Sequence, residues 1–182
     1  MGASILDGLA ELNPISVAVL ALVTLQRIAE LVLARRHTKL LLARGAFEVA
    51  PEHYPAIVAL HGAWLAGLWI LASAREPNLA LLALFGLLQI GRVWVLATLG
   101  ERWTTRILIL PGAPLIRSGP YRFLSHPNYC VVTAELFLLP LAFGLVTFAA
   151  VFTALNALAL WVRIRAENAA LSDVSRLGQT HP

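Results

Sequence analysis

The chain has 182 residues, 59% of them hydrophobic and only 13% charged, where soluble domains run at roughly 45–50% and about 25%. This balance excludes an ordinary soluble domain and predicts an integral membrane protein, with membrane lipids around it and little sequence left for a separate soluble unit. In such a chain a net charge of +4 reports topology first, so no nucleic-acid partner is expected.

No Lys or Arg precedes Arg27, and an N-terminus carrying Asp7 and Glu11 lacks the charged start of a cleaved signal peptide. The first predicted span covers residues 14–34. Asn13 can cap it, Pro14 can occupy its first turn and Arg35-Arg36 close it. About 20 residues at 1.5 Å each cover the ~30 Å hydrocarbon core. The basic stretch to His53 holds Arg35, Arg36, Lys39 and Arg44 around Leu40-Leu41-Leu42, a pattern expected of a separate helix lying at the interface. Spans two and three, residues 54–74 and 79–99, form an antiparallel hairpin around the short Arg75-Glu76-Pro77-Asn78 turn.

A fourth span begins at Pro127 and ends by residue 143, with Pro140 ending or kinking it. The fifth covers 147–164. Between spans three and four lies a polar, turn-rich loop, 100–128, and a C-terminal helical extension, 165–182, follows span five. The fold class is therefore an all-α integral membrane protein of about five transmembrane helices in a single membrane domain. Arg35, Arg36, Lys39 and Arg44, then Arg102, Arg106, Arg117 and Arg122, then Arg163, Arg165 and Arg176 all fall on one side, with Arg75 on the other. The positive-inside rule then puts the N-terminus outside and the loop and C-terminus in the cytoplasm.

Within the loop, Ile107-Leu108-Ile109-Leu110 meets Pro111-Gly112-Ala113-Pro114 and then Leu115-Ile116, which reads as a small hairpin or re-entrant flap over a lipophilic ligand, or as a plain connector. Gly119-Pro120-Tyr121 is a turn signal, and His126 before Pro127 occupies the cap of the next helix. A helix N-terminus offers free N–H groups to an anion, although His126 could equally be a simple capping residue. Arg163, Glu167 and Leu171 recur at i, i+4 and i+8 on one face of the last helix. Cys130, the single cysteine, reads as a packing residue, and one thiol beside one motif histidine predicts no metal site.

These motifs resemble the isoprenylcysteine carboxyl methyltransferase and phospholipid methyltransferase group. That group's pattern is Gly-Pro-Tyr, three residues, Arg-His-Pro, one residue, Tyr, followed one hairpin later by Arg, three residues, Glu-Glu, two residues, Leu. Here it reads Gly119-Pro120-Tyr121, Ser125-His126-Pro127, Tyr129, then Arg163, Glu167-Asn168 and Leu171, so that Ser125 replaces an arginine and Asn168 the second glutamate. The run Trp103-Thr104-Thr105-Arg106-Ile107 and the turn after it look more like the bacterial branch that O-methylates alkylpyrones and related polyketide lipids. The resemblance implies S-adenosylmethionine as cofactor, a lipophilic small-molecule substrate and an active site on the cytoplasmic face of a bacterial inner membrane. It implies cofactor contacts from Gly119, Pro120, Tyr121, His126, Pro127, Tyr129 and Glu167. Substrate contacts would come from Trp103, Thr105, Arg106 and Arg163, with Arg163 and Glu167 catalytic. Methylation of a prenylcysteine carboxylate or a phospholipid amine is the nearest alternative. From another class, a small transporter could use an intramembrane polar path through Arg27, His61, Arg92 and Glu135.

Those residues carry one further expectation. Counted from the basic end of each span, Arg27, His61, Arg92, Glu135 and Asn156 all lie seven or eight residues in, at about 10–12 Å depth. A shared level predicts an internal polar layer, with Glu135 paired to Arg92 or Arg27, flooring the pocket under the loop. The alternative is that Arg27 pairs with Glu30 on its own helix and the others snorkel separately.

Overall fold

The computed structural model describes residues 12–177, with side chains to residue 170. Asp7, Glu11, the side chains of Leu171 and Arg176, and residues 178–182 of the extension lie outside that description. Five α-helices run through the described residues: α1 (Pro14–Ala43), α2 (Tyr54–Ala72), α3 (Leu79–Leu99), α4 (Pro127–Ala142) and α5 (Val146–Leu177). Four are long and apolar enough to cross a membrane, while α4 has 16 residues and reaches only about 24 Å.

Two of the helix starts, those of α1 and α3, follow from side-chain caps. Asn13 Oδ1 accepts from the backbone N–H groups of Ile15 and Ser16 at 3.0 and 3.1 Å, and Asn78 Oδ1 does the same for Ala80 and Leu81 at 3.1 Å each. One end of the bundle is tied together around these caps. Asn13 N donates to Ser73 O at 2.9 Å and Asn78 N to Ala142 O at 2.7 Å, while Ser16 Oγ reaches Arg75 O at 2.5 Å.

The first helix differs from expectation. It is continuous through Ala43, so the basic stretch is its last two turns rather than a separate interfacial helix. No Pro or Gly interrupts residues 35–43, and Ala34, His37 and Leu41 continue the buried stripe of Glu30, so nothing stops the helix before Gly45. Gly45 takes φ +88 and leaves the carbonyls of Leu41 and Leu42 to be capped by the N–H groups of Ala46 and Gly45. The last helix continues past residue 164 to Leu177, as the helical extension expected there requires.

The bundle core is built from Leu20, Val23, Trp64, Leu68, Phe85 and Leu136 among others, with Trp64 Nε1 donating to Leu136 O at 3.3 Å. Around it the apolar side chains turn outward: Leu22, Ile70, Leu87 and Ile90 are 62–79% exposed. An apolar exterior of this extent needs hydrocarbon around it. Cys130, expected to pack, is exposed on α4.

The loop also departs from the hairpin reading. Residues 108–109 form strand β2, but its partner is β1 (Phe47–Glu48), antiparallel, with Phe47 opposite Ile109 and Glu48 opposite Leu108. The turn at Pro111-Gly112 exists, with Gly112 at φ +73 and Ala113 N donating to Leu110 O at 3.2 Å. The return arm forms no ladder with β2, whose pairing is with β1, and Pro114 on that arm has no N–H to give. The segment after α1 supplies the missing partner and straps the loop to that helix.

Candidate active site

At the end of the bundle where α1 and α3 finish and α4 begins, the loop encloses a cavity of about 480 Å³. Leu41 and Leu99 come from the ends of α1 and α3, residues 107–110 and 113–116 from the strapped loop, and Arg163, Glu167 and Asn168 from α5. Its polar residues are Arg102, Thr104, Arg106, Arg117, Tyr121, Ser125, His126, Asn128 and Tyr129, with the three from α5.

The centre is a chain of hydrogen bonds. Arg163 Nε donates to Tyr129 Oη at 3.0 Å, and Tyr129 Oη donates to Glu167 Oε2 at 2.8 Å. Arg163 also donates through Nη1 to the carbonyl of Thr105 at 2.8 Å. Its side chain is buried at 9% exposure, and it makes no ion pair with any carboxylate among the described residues. It is thus a buried cation held by neutral acceptors at the edge of a cavity. The His126 ring stacks on Tyr129 with centroids 5.2 Å apart and planes 14° from parallel. His126 occupies the cap position of α4, but its side chain makes no capping bond. Tyr121 is half-buried; burial and the nearby Glu167 carboxylate push its hydroxyl up to about 12, so it stays a neutral donor at physiological pH.

The predicted site residues therefore divide. Tyr121, His126, Tyr129, Arg106, Arg163 and Glu167 are brought together around one cavity. Arg106 is already engaged, accepted by both Glu48 oxygens at 2.9 and 2.7 Å and lying 4.4 Å above the Tyr54 ring. Trp103 and Thr105, read as substrate contacts, do not line the cavity. Trp103 is buried at 3% exposure with its carbonyl accepting from His37 Nδ1 at 2.8 Å. Thr105 shares a 3.1 Å hydrogen bond with Tyr54 and orients Arg163 through its carbonyl. Gly119, Pro120 and Pro127 also sit behind the wall rather than on it. Gly119 takes φ +54 where a Cβ would collide with Thr98 Oγ1, and Pro120 and Pro127 are buried. The polar wall residues that the motifs did not single out are Arg102, Arg117 and Asn128.

Below the cavity, the expected polar layer is present in part. Glu135 Oε2 accepts from Arg27 Nη2 at 2.6 Å and Arg92 Nη1 at 2.7 Å, and Oε1 accepts from Gln89 Nε2 at 3.0 Å. Glu30 also belongs to the layer, paired with Arg27 at 3.0 Å on its own helix and with Arg92 across the bundle, and Gln26 bridges Glu30 and Gln89. His61 and Asn156 are not bonded to it: His61 Nδ1 pairs with Ile57 O and Asn156 Nδ2 with Thr133 Oγ1. None of Arg27, Arg92 and Glu135 lines the cavity, so the layer braces the bundle below without forming the pocket floor.

An apolar-sided helical bundle with a polar, cation-rich cavity at one end defines an integral membrane protein. Residues 80–173 match the Isoprenylcysteine carboxyl methyltransferase (ICMT) family, and the chain belongs to that family. The match contains the cavity-lining stretches of the loop, α4 and α5. Among curated relatives, the uncharacterized protein YpbQ of Bacillus subtilis is 37% identical over 161 residues, covering 86% of this chain and 96% of the relative. An uncharacterized protein of Haemophilus influenzae is 30% identical over 164 residues, covering 81% and 90%. No solved structure gives a significant match. Family membership supports a membrane methyltransferase and displaces the transporter alternative, whose supposed path is in part a closed set of ion pairs.

Proposed function

We propose that this chain transfers a methyl group from S-adenosylmethionine to an oxygen of a lipophilic acceptor, an alkylpyrone or related polyketide lipid, at the cytoplasmic face of a bacterial inner membrane. The observation that carries the choice of an oxygen acceptor is Arg163. A buried guanidinium with no carboxylate partner among the described residues favours an anionic oxygen, whether enolate or carboxylate, and disfavours the amine of a phospholipid. The Trp103 to Ile107 run and the turn after it favour the pyrone branch over a prenylcysteine. The orientation follows from the arginines gathered at the cavity end, against Arg75 at the other.

The residues present fit the cofactor. A cavity of about 480 Å³ lies in the range of small-molecule sites, roughly 300–1,000 Å³. It offers one carboxylate, Glu167, one of whose oxygens is fixed by Tyr129, for an ammonium or a ribose diol. The stacked His126–Tyr129 pair offers flat aromatic surface, suited to a planar ring or a sulfonium. When bound, S-adenosylmethionine supplies an electrophilic methyl group on sulfur.

The chain's own part is to position and to exclude water. An acidic enol or carboxylate is ionised near neutral pH, so no strong general base is required. Arg163, fixed by Tyr129 and Thr105, can orient the acceptor oxygen in line with the methyl group. The strapped loop covers the site with apolar residues that keep water out. The cavity holds the head groups only, and a long acyl tail would extend into the bilayer, where each buried CH₂ contributes about 0.8 kcal/mol.

Calorimetry of the purified protein tests the reading. The parent binds S-adenosylmethionine, and His126→Ala and Glu167→Ala each lose that binding while keeping a cooperative thermal transition. Parent-like binding in both variants would show the site to be misassigned. Mass spectrometry of lipids from cells with and without the protein then looks for a pair differing by one CH₂.

A further inference from the structure

The shortness of α4 leaves a band of the membrane to be filled by other residues. Its 16 residues reach about 24 Å against a hydrocarbon core of ~30 Å. The hydrogen bond from Asn78 N to Ala142 O holds its far end level with the start of α3, so the shortfall of about 6 Å falls at the cavity end. Residues 119–126 descend through that band. Gly119 packs against Thr98, about 28 Å along α3 from Leu79, and Pro127 opens α4 below it. Within the band Phe123 is 73% and Leu124 50% exposed, two adjacent apolar side chains that the bundle does not cover.

The charges beside them match the next layer of a bilayer. Arg122 holds its guanidinium carbon 5.9 Å from the Phe123 ring. The pairing recurs on α5, where the Arg165 guanidinium carbon lies 4.7 Å over the ring of Trp161, itself 55% exposed. Arg165 is also about 28 Å along its helix, counted from Val146, so the two aromatic–guanidinium pairs mark one level. Both arginines are exposed, and neither has a carboxylate partner among the described residues. A ring at the hydrocarbon edge, with a guanidinium reaching past it, is what a bilayer boundary selects. We propose that residues 122–124 are an interfacial anchor. Phe123 and Leu124 enter the acyl chains of the cavity-side leaflet, and Arg122, with Arg165 on α5, binds the phosphates of anionic phospholipids. Lipid thereby holds the stretch of cavity wall on either side of the anchor, Tyr121 before it and Ser125 and His126 after it.

The test uses the full-length protein in nanodiscs, with the exposed Cys130 replaced by serine and one spin label at a time on Phe123→Cys or Leu124→Cys. Ile90→Cys, 66% exposed in the parent and midway along α3, is the hydrocarbon reference. Lys39→Cys, about 38 Å along α1 from Pro14, is the aqueous one. Labels at 123 and 124 should be open to oxygen, which partitions into lipid, and shielded from a water-soluble nickel chelate, at a shallower depth than the label at 90. Lipid choice is read separately by native mass spectrometry in mixed micelles, phosphatidylglycerol against phosphatidylcholine. The parent should prefer phosphatidylglycerol, and the double variant Arg122→Gln/Arg165→Gln should lower that preference on the order of tenfold. Its thermal midpoint should hold, since both side chains are exposed. Labels at 123 and 124 as open to the chelate as the label at 39 overturn the insertion. Equal uptake of the two lipids by the parent, or the parental preference in the double variant, overturns the phosphate contact.

Discussion

Replacing Glu135 by glutamine is the sharpest perturbation of the membrane-embedded core. The carboxylate is 0% exposed and accepts from two guanidiniums, Arg27 at 2.6 Å and Arg92 at 2.7 Å. Glu135→Gln keeps the shape, removes one negative charge and leaves two arginines sharing Glu30. Two charge-assisted hydrogen bonds at about 1.5–3 kcal/mol each give about 3–6 kcal/mol, which agrees with the ~3–5 kcal/mol for breaking a buried pair from one side. At roughly 2–4 °C per kcal/mol for a chain of this size, the midpoint in detergent micelles should fall by on the order of 10 °C. Adding Arg92→Gln restores one positive to one negative, so the double variant should be less destabilised than the sum of the singles, by about 1 kcal/mol or more. A midpoint for Glu135→Gln within about 2 °C of the parent, or simple additivity in the cycle, would refute the view that this network holds α1, α3 and α4 together.

Arg163→Lys keeps the charge but loses the planar fork that spans Tyr129 and Thr105; turnover should fall with cofactor affinity little changed, and full activity would rule out orientation of the acceptor by the guanidinium. Gly119→Ala meets both a positive φ and a collision with Thr98, whereas Gly112→Ala meets only the positive φ, with open space around it. Both should lose about 1–2 kcal/mol to backbone strain, Gly119→Ala should lose more and also weaken cofactor binding, and equal midpoints would show that the Thr98 contact is soft. Tyr121, with its hydroxyl near 12, is protonated on both sides of neutrality, so Tyr121→Phe should leave the shape of the pH–rate profile below about pH 10 unchanged; a limb that vanishes in the variant would mean the hydroxyl ionises during turnover.

Helix starts were readable in the sequence because they rest on local chemistry. Asn13 with Pro14, and Asn78 ahead of an apolar run, cap their own helices whatever the rest of the chain does. The end of α1 was less readable, because Arg35, Arg36 and Lys39 mark where apolar length suffices for the bilayer, not where the backbone stops being helical. Long basic side chains reach water from a continuing helix, and only Gly45 supplies a backbone reason to end. The partner of β2 was unreadable for a different reason: Phe47 and Glu48 lie some sixty residues upstream, and a two-residue pairing leaves no periodicity to detect.

For the site, a motif records neighbours along the chain, and the fold decides which of them share a surface. Thr104 and Arg106 reach the cavity while Trp103 and Thr105, alternating with them, do not. Depth along the helices was a better guide to the polar layer, since a charge at that level must find a partner or leave the hydrocarbon. Counting one residue per span nevertheless missed Gln26 and Gln89 and placed Glu30 only within its own helix. A buried carboxylate needs both oxygens satisfied, so Glu135 draws a glutamine to one oxygen and two arginines to the other. Both arginines also pair with Glu30, Arg27 from the same helix and Arg92 across the bundle, and Gln26, four residues before Glu30, closes the set. Two guanidiniums against two carboxylates leave no net charge, and none of the four side chains borders the cavity. The layer then fixes how three helices meet beneath the cavity, and on the proposed reading selection of the ligand falls to the groups above it, among them Arg163 and Glu167.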